Sequence, residues 1–323
     1  MSFKSTLLVT ALLAAFSSPA FADTAPEART ETAVRVVTAN LRVPVASDYK
    51  TGNGWNQRRE LCRDVLAAQD ADLLCFQECR QVQLDFIEKK LSGYEHIALY
   101  NSPREGMPPE PTIAILYSTK RFKKTRSGGF WLSDTPDKPG SRFTGSASAR
   151  LSNWVLLRDL KTGRDLLVWN THLNESGGAE GNAVREKQIA VLLAYVSKAP
   201  AGTPQIMTGD FNTDAASKTV QSVKAAGWVD TYTAIHGDSD PGPSFHGFRG
   251  AKYSGRSQER IDFIFCSGPF RPVAAKIIKD GRDGRYPSDH YFVSADLDYE
   301  ALSPAAPKDS EQSTPTAKIV PNP

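Results

Sequence analysis

Apolar residues along this chain recur with two periods, and the switches between them mark the elements. Residues 34–38 form a short apolar run that reads as a buried strand and delivers Asn40 at its end. Trp55-Asn56-Gln57 then opens a segment in which Leu61, Val65 and Leu66 fall on one helical face. Residues 72–76 are a second apolar strand ending at Gln77-Glu78, and Val82, Phe86, Ile87 and Leu91 trace a second helix. This alternation predicts an α/β protein. From Tyr94 the period shortens, and residues 112–117, 129–133, 147–157 and 166–171 read as successive strands separated by turn residues. A helix over residues 183–197, with Ile189, Leu192, Leu193 and Val196 as its inner stripe, leads through Pro200 and Pro204 to a strand at 205–208. A short helix near 218–226 and strands at 260–265, 273–278 and 291–297 follow. Nothing repeats with a period of 20–50 residues, which argues against solenoids and propellers.

The two ends break this pattern. Residues 1–4 carry a positive charge, 7–16 are apolar, and Ala20-Phe21-Ala22 offers a small-x-small cleavage site, so 1–22 read as a cleavable signal peptide too short to span a bilayer. A linker at 23–32, a domain at 33–300 and a disordered Pro-, Ala- and Ser-rich tail at 301–323 are expected. The mature protein is therefore expected in a periplasm or outside the cell, without stable membrane insertion and as a monomer. Four cysteines, Cys62, Cys75, Cys79 and Cys266, show no zinc-ligand spacing and lie in or beside apolar runs, which favours buried thiols over disulfides. A net charge of +3 is too mild to demand a polyanionic partner, although basic residues cluster at 120–126 and 249–260.

Candidate chemistry concentrates at strand ends. Asn40, Glu78, His172 and Asp210 each follow an apolar strand, Asp262 lies within one, and Ser288-Asp289-His290 precedes the last. Side chains at such positions can converge on one edge of a sheet. The set combines carboxylates for a hard cation, histidines for proton transfer and amides for orientation, the tools of metal-assisted phosphate ester hydrolysis. Glu78 is the candidate Mg²⁺ ligand, since that ion takes few protein carboxylates and keeps waters. Asp262 is the candidate orienter of His290. Trp55, Trp154 and Trp228 read as core, whereas Trp131 and His246 could equally pack in the core or line a pocket.

The order and spacing of six segments resemble the endonuclease/exonuclease/phosphatase superfamily: Thr38-Ala39-Asn40-Leu41-Arg42, Phe76-Gln77-Glu78, Asn170-Thr171-His172-Leu173, Gly209-Asp210-Phe211-Asn212, Arg260-Ile261-Asp262-Phe263-Ile264 and Ser288-Asp289-His290. The resemblance implies a four-layer α/β/β/α sandwich with its site at one edge of two mixed sheets. It implies Mg²⁺ (or Mn²⁺) as cofactor, Glu78, Asn40 and Asp289 at or near the metal, and Asn40 and Asn212 near phosphate. Asp210 would activate or orient the nucleophile, His172 would contact phosphate or assist the leaving group, and Asp262–His290 would act as acid/base or transition-state stabiliser. Arg80 and Arg150 occupy places where secreted deoxyribonucleases of this superfamily have phosphate-contacting arginines. Residues 129–136 and 244–248 look like those of a bacterial branch, with 177–182 as an extra loop after His172.

An exported phosphoesterase is thus expected, with a nucleic acid phosphodiester as the favoured substrate on account of Arg80, Arg150 and the 249–260 cluster. A phosphatase or phosphodiesterase for a small metabolite or phospholipid headgroup is the enzymatic alternative. A non-catalytic secreted binding module is the alternative from another class, and a competent residue at every expected polar position speaks against it.

Overall fold

The computed structural model describes residues 29–100, 110–239, 241–255 and 257–300; the expected signal peptide and tail lie outside them. Twelve strands and six α-helices follow one another: β1 Val34–Asn40, α1 Ala46–Lys50, α2 Trp55–Ala68, β2 Leu73–Gln77, α3 Gln81–Lys90, β3 Tyr94–Tyr100, β4 Pro111–Ser118, β5 Phe122–Trp131, β6 Leu151–Asp159, β7 Asp165–His172, α4 Gly178–Val196, β8 Gln205–Asp210, α5 Lys218–Ala225, β9 Val229–Asp230, α6 Thr231–His236, β10 Asp262–Ser267, β11 Phe270–Ile278 and β12 Phe292–Tyr299. They build two six-stranded mixed sheets, in the orders β11-β12-β1-β2-β4-β3 and β5-β6-β7-β8-β10-β9.

Strand alternation divides the apolar side chains into three buried layers. Val34 and Val36 of β1, Leu73 and Cys75 of β2, Val168 of β7, Ile206 of β8 and Ile264 of β10 meet between the sheets. Their neighbours Val37, Leu74 and Phe76 face outward under α2 and α3, where Leu61, Val65, Leu84 and Ile87 cover them. On the other side Trp169, Met207, Phe263 and Phe265 pack beneath α4 and α5 through Ile189, Leu192, Val220 and Val223. This is the α/β/β/α sandwich.

Several boundaries depart from the sequence pattern. β5 begins at Phe122, well before the expected 129, because it is an edge strand whose Lys123, Lys124 and Arg126 are exposed. Charged residues on an edge strand oppose further strand addition, so the 120–126 cluster has this structural role, and Arg121 is buried altogether. Residues 178–182, expected in an extra loop, form the first turn of α4; Arg185 donates to the carbonyls of Asn174 and Ser176 at 2.7 and 2.8 Å and so ties that glycine-rich turn to the chain before it. The linker is anchored from Arg29 onward, which pairs with Asp72 at 2.7 Å. All four cysteines are free and buried, and burial pushes the thiols of Cys62, Cys75 and Cys266 up to about 12. Trp55 and Trp228 lie in the core as expected, while Trp154 is partly exposed at its edge. No helix of the described residues is long and apolar enough to cross a membrane.

Candidate active site

The face that carries the inter-sheet core continues, at one end of the sandwich, into polar residues. By alternation Asn40 shares the face of Val34 and Val36, His172 that of Val168, Asp210 that of Ile206, and Asp262 that of Ile264. Register then sets three of them in a row. In the parallel β7–β8 pair His172 lies opposite Asp210, and in the antiparallel β8–β10 pair Asp262 does. Gly209 permits this close packing, because a Cβ there would come within 2.5 Å of the Thr171 carbonyl oxygen. The other sheet supplies Asn40 at the end of β1, Glu78 just after β2, and Asp289 and His290 just before β12.

Contacts across the gap between the sheets join the two sets. Asn40 Nδ2 donates to Asp210 Oδ2 at 3.0 Å and to Glu78 Oε1 at 3.3 Å. His290 Nδ1 lies 2.9 Å from Asp262 Oδ2, and its Nε2 is 3.8 Å from Asp210 Oδ2. Ser244, the first residue of the 244–248 segment and one to which the sequence gave no individual role, donates its hydroxyl to the same Asp262 oxygen at 2.7 Å and accepts from the Ile261 backbone N–H at 2.9 Å. Asn212 Nδ2 donates to the Leu173 carbonyl at 3.1 Å, which fixes its amide nitrogen toward His172 Nε2 at 3.0 Å. The same Nε2 lies 3.4 Å from Asp210 Oδ2.

Three site residues hold left-handed backbone conformations: Arg42 at φ 55°, Glu78 at φ 51° and Asn212 at φ 52°. Asparagine tolerates this region; arginine and glutamate enter it rarely, at a cost of about 1–3 kcal/mol when the surroundings impose it. At Glu78 the turn sends the side chain back toward β1, where Oε2 accepts from the Val43 N–H at 3.1 Å.

Burial and neighbouring charges separate the titratable groups. Desolvation opposes charge on His290, but Asp262, Asp210 and Asp289 overcome it and raise the imidazole to about 10. His172 goes the other way, held well below its ordinary 6.5 by burial and by the charges of Arg150 and His290. Burial, together with the charge of Asp262, pushes the Asp210 carboxyl up. Burial also raises Asp289, with the Glu78 charge adding to it. The site thus pairs a cationic histidine with a neutral one.

These groups open on a cavity of about 1030 Å³ lined by Glu78, Arg80, Arg150, His172, Asp210, Asn212, Asp289 and His290. Asn40 and Asp262 stand directly behind that wall through the contacts given above. All ten expected residues therefore come together. Residues 244–248 meet the site through the Ser244 hydroxyl, the Phe245 ring, which meets His290 edge-on at 5.1 Å, and the His246 and Gly247 N–H groups, which donate to the Asp289 carbonyl at 2.8 and 3.0 Å. His246 is buried against Tyr286 and Tyr291, and Trp131 packs on Ile113 and Leu151; neither lines the cavity. Arg42 and Glu175 are lining residues to which sequence reasoning gave no role.

The donor set fits a hard divalent cation. Glu78 and Asp289 are oxygen donors on one wall whose negative charges oppose each other, an arrangement a cation relieves. Asn40 stands beside these carboxylates: its oxygen accepts from the Arg42 N–H at 2.9 Å, and its nitrogen faces Asp210 and Glu78. Asp210, Asp262 and His290 also bring one ligand atom each within 4.8 Å of one another. The Asp262–His290 hydrogen bond already engages two of the three.

Comparison with known proteins agrees with this geometry. A model of the Endonuclease/Exonuclease/phosphatase family matches residues 37–290. A crystal structure of an endonuclease/exonuclease/phosphatase family protein from Bacteroides thetaiotaomicron is 27% identical, with a TM-score of 0.72 over 84% of this chain and 96% of that one. The mannosyl-6-phosphatase of the same organism is also 27% identical, with a TM-score of 0.72 over 82% of this chain and 100% of that one. TDP2 of D. rerio, solved with a single-strand DNA product, shares the fold at 19% identity and a TM-score of 0.63, over 83% of this chain and 100% of that one.

Proposed function

The chain belongs to the endonuclease/exonuclease/phosphatase family, and from that premise we propose that it is a divalent-cation-dependent phosphoesterase acting on a compact ester such as a phosphorylated sugar. The observation that carries this choice is the charge of the cavity. Arg150, one basis of the nucleic acid expectation, is paired with Glu175. Arg260, another, is buried and paired with Asp230 at 2.7 Å. Arg42 is paired with Asp48 at 3.0 Å. Asp214 adds negative charge to the cavity lining. Arg185 of the same wall is spent on the carbonyls of Asn174 and Ser176, at 2.7 and 2.8 Å, which leaves Arg80, among the described residues of this wall, as the guanidinium available to an anion. One free guanidinium suits one phosphate better than a polyanion backbone. The similarity to a mannosyl-6-phosphatase points the same way.

A cation held by Glu78 and Asp289 would neutralise charge developing on the phosphoryl oxygens. The chain's own groups do the rest. Arg80 binds phosphate, and Asp210, held by Asn40 and the Asn212 N–H at 2.9 Å, orients the attacking water and takes its proton. His290, kept cationic by Asp262, supplies positive charge on the Asp210 side of the phosphoryl group. Neutral His172 is held at the cavity wall by its Nε2 contacts with Asn212 and Asp210.

The cavity volume, about 1030 Å³, exceeds what a sugar phosphate fills and favours a nucleotide or nucleic acid ester as second reading. Sugar phosphates, chromogenic mono- and diesters, oligonucleotides and closed plasmid, assayed with Mg²⁺ and with EDTA, separate the two. Mg²⁺-dependent release of phosphate from small monoesters is expected; nicking of plasmid with none of it would transfer the assignment to the nuclease. Export through residues 1–22 is part of the proposal, and a mature N-terminus other than one near Asp23 would contradict it.

A further inference from the structure

Two side-chain hydrogen bonds between site residues cross from sheet to sheet: Asn40 of β1 to Asp210 of β8, and His290 before β12 to Asp262 of β10. A backbone bridge pairs Phe245 with His290 ahead of β10 and β12, but no strand of one sheet forms a ladder with a strand of the other, so at the ends of β1, β2, β7 and β8 ladder hydrogen bonds do not set the separation of the two halves. One polar layer lies between the dry core and the site. Asn170 of β7 donates Nδ2 to the carbonyls of Phe76 and Ala114 in the opposite sheet, at 2.9 and 3.1 Å. Its Oδ1 accepts from Gln77 Nε2 of that sheet at 2.7 Å and shares the single Thr208 Oγ1 proton, at 3.2 Å, with the Trp169 carbonyl at the same distance. Gln77 Nε2 also donates to Thr38 Oγ1 at 3.0 Å. All four residues have no exposed surface. Each stands one or two positions before a site residue, at Thr38/Asn40, Gln77/Glu78, Asn170/His172 and Thr208/Asp210.

We propose that Asn170, with Gln77, Thr38 and Thr208, is a cross-sheet bolt that positions the two halves of the catalytic site against each other. The amide uses both donors and both acceptors, so it admits one relative placement of the sheets; apolar contacts alone would allow them to slide. The residues of the bolt touch neither substrate nor cation and act through Asn40, Glu78, His172 and Asp210. The catalytic consequence rests on the phosphoesterase reading, whereas the geometric one does not.

Thr208→Val removes the hydroxyl at constant shape, Thr208→Ser restores it, and Asn170→Ala removes the bolt. Displacement of reacting groups by a fraction of an ångström to one ångström costs about tenfold to a hundredfold in rate. For whichever ester the wild type cleaves, Thr208→Val should lower kcat about tenfold with KM within twofold, and Thr208→Ser should recover it. Adding Thr208→Val to a folded Asn170→Ala protein should cost little more, since both act through one device. Imidazole ¹⁵N resonances of His172 and His290 in the metal-free protein give a readout independent of turnover. They should shift or broaden in Thr208→Val and return in Thr208→Ser. Unmoved resonances in a folded Thr208→Val protein would overturn the bolt, while a wild type inactive on every ester would overturn the functional reading instead.

Discussion

Replacing Asp262 by asparagine changes charge while keeping shape. Asp262 Oδ2 accepts from His290 Nδ1 at 2.9 Å and from Ser244 at 2.7 Å, and its other oxygen is buried without a partner. An asparagine can present its carbonyl oxygen to both donors and turn its amide into the unpartnered position. The side chain's negative charge then disappears from beside the imidazole. His290 rises from 6.5 to about 10 in spite of burial, and Asp262 is the largest of the causes that raise it. A unit charge a few ångströms away is worth about 4 kcal/mol at the effective dielectric of such sites, which is about 3 pKa units. The Asp262→Asn imidazole should therefore titrate close to its ordinary value and be largely neutral at pH 8. Because the folded pKa is raised, the stabilisation by protonated His290 is complete below pH 6.5 and lost as pH rises through about 10. Urea titrations of the metal-free wild type should thus lose more stability across that window than the variant does, with a ceiling of about 5 kcal/mol on the difference; the buried thiols cost both proteins stability above pH 9. With metal and substrate, kcat should drop about 10³-fold. A His290 resonance that titrates as in wild type, or a kcat within tenfold, would refute the argument that Asp262 holds this histidine cationic.

Other consequences are open to direct measurement. Glu78→Gln should abolish the rise in Tm that Mg²⁺ gives the wild type; at a cation concentration a hundred times Kd that rise corresponds to about 3 kcal/mol, and an equal rise in the variant would remove Glu78 from the site. His246, lowered to about 4 by burial, contributes stability that is present above pH 6.5 and lost as pH falls toward 4. His246→Asn should remove up to about 3 kcal/mol of that acid sensitivity, read as the difference in urea midpoints at pH 7 and pH 4.5. Arg121 holds Asp72 at 2.9 Å and Asp159 at 3.1 Å in full burial, so Arg121→Met should cost about 3–5 kcal/mol in chemical denaturation, and a loss under 1 kcal/mol would show those carboxylates to be satisfied without it.

The layers of the fold were legible wherever an element buries one face. The β2 and β7 runs and the stripes of α2 and α3 carry their period in the sequence, because each must cover a core. β5 was cut short because an edge strand with solvent on its outer face, marked by Lys123, Lys124 and Arg126, shows no apolar alternation there. β9 and α6, of two and six residues, are too short to display any period and are set by Asp230, whose carboxylate caps α6 at the Tyr232 N–H and pairs with Arg260. The helix start at Gly178 was hidden by residues with poor helical propensity, for which Arg185 compensates through contacts that spacing does not reveal.

For the site, the identity of the residues was legible and their orientation was not. Six motifs named eight of the ten residues that converge, all but Arg80 and Arg150, since a strand end is where side chains from separate strands can meet. What a motif cannot state is which atom of an amide faces which neighbour. The motif names Asn40, but only the structure shows that its oxygen accepts from the Arg42 N–H while its nitrogen turns to Asp210 and Glu78. The same holds for charge: Arg150 and Arg260 read as phosphate binders until Glu175 and Asp230, distant in sequence, are found against them. An arginine's worth to an anion depends on the carboxylates already beside it. Substrate choice in this cavity is therefore written in pairings between loops, and Glu175→Gln, which frees Arg150, should strengthen binding of a polyanionic oligonucleotide more than that of a sugar phosphate.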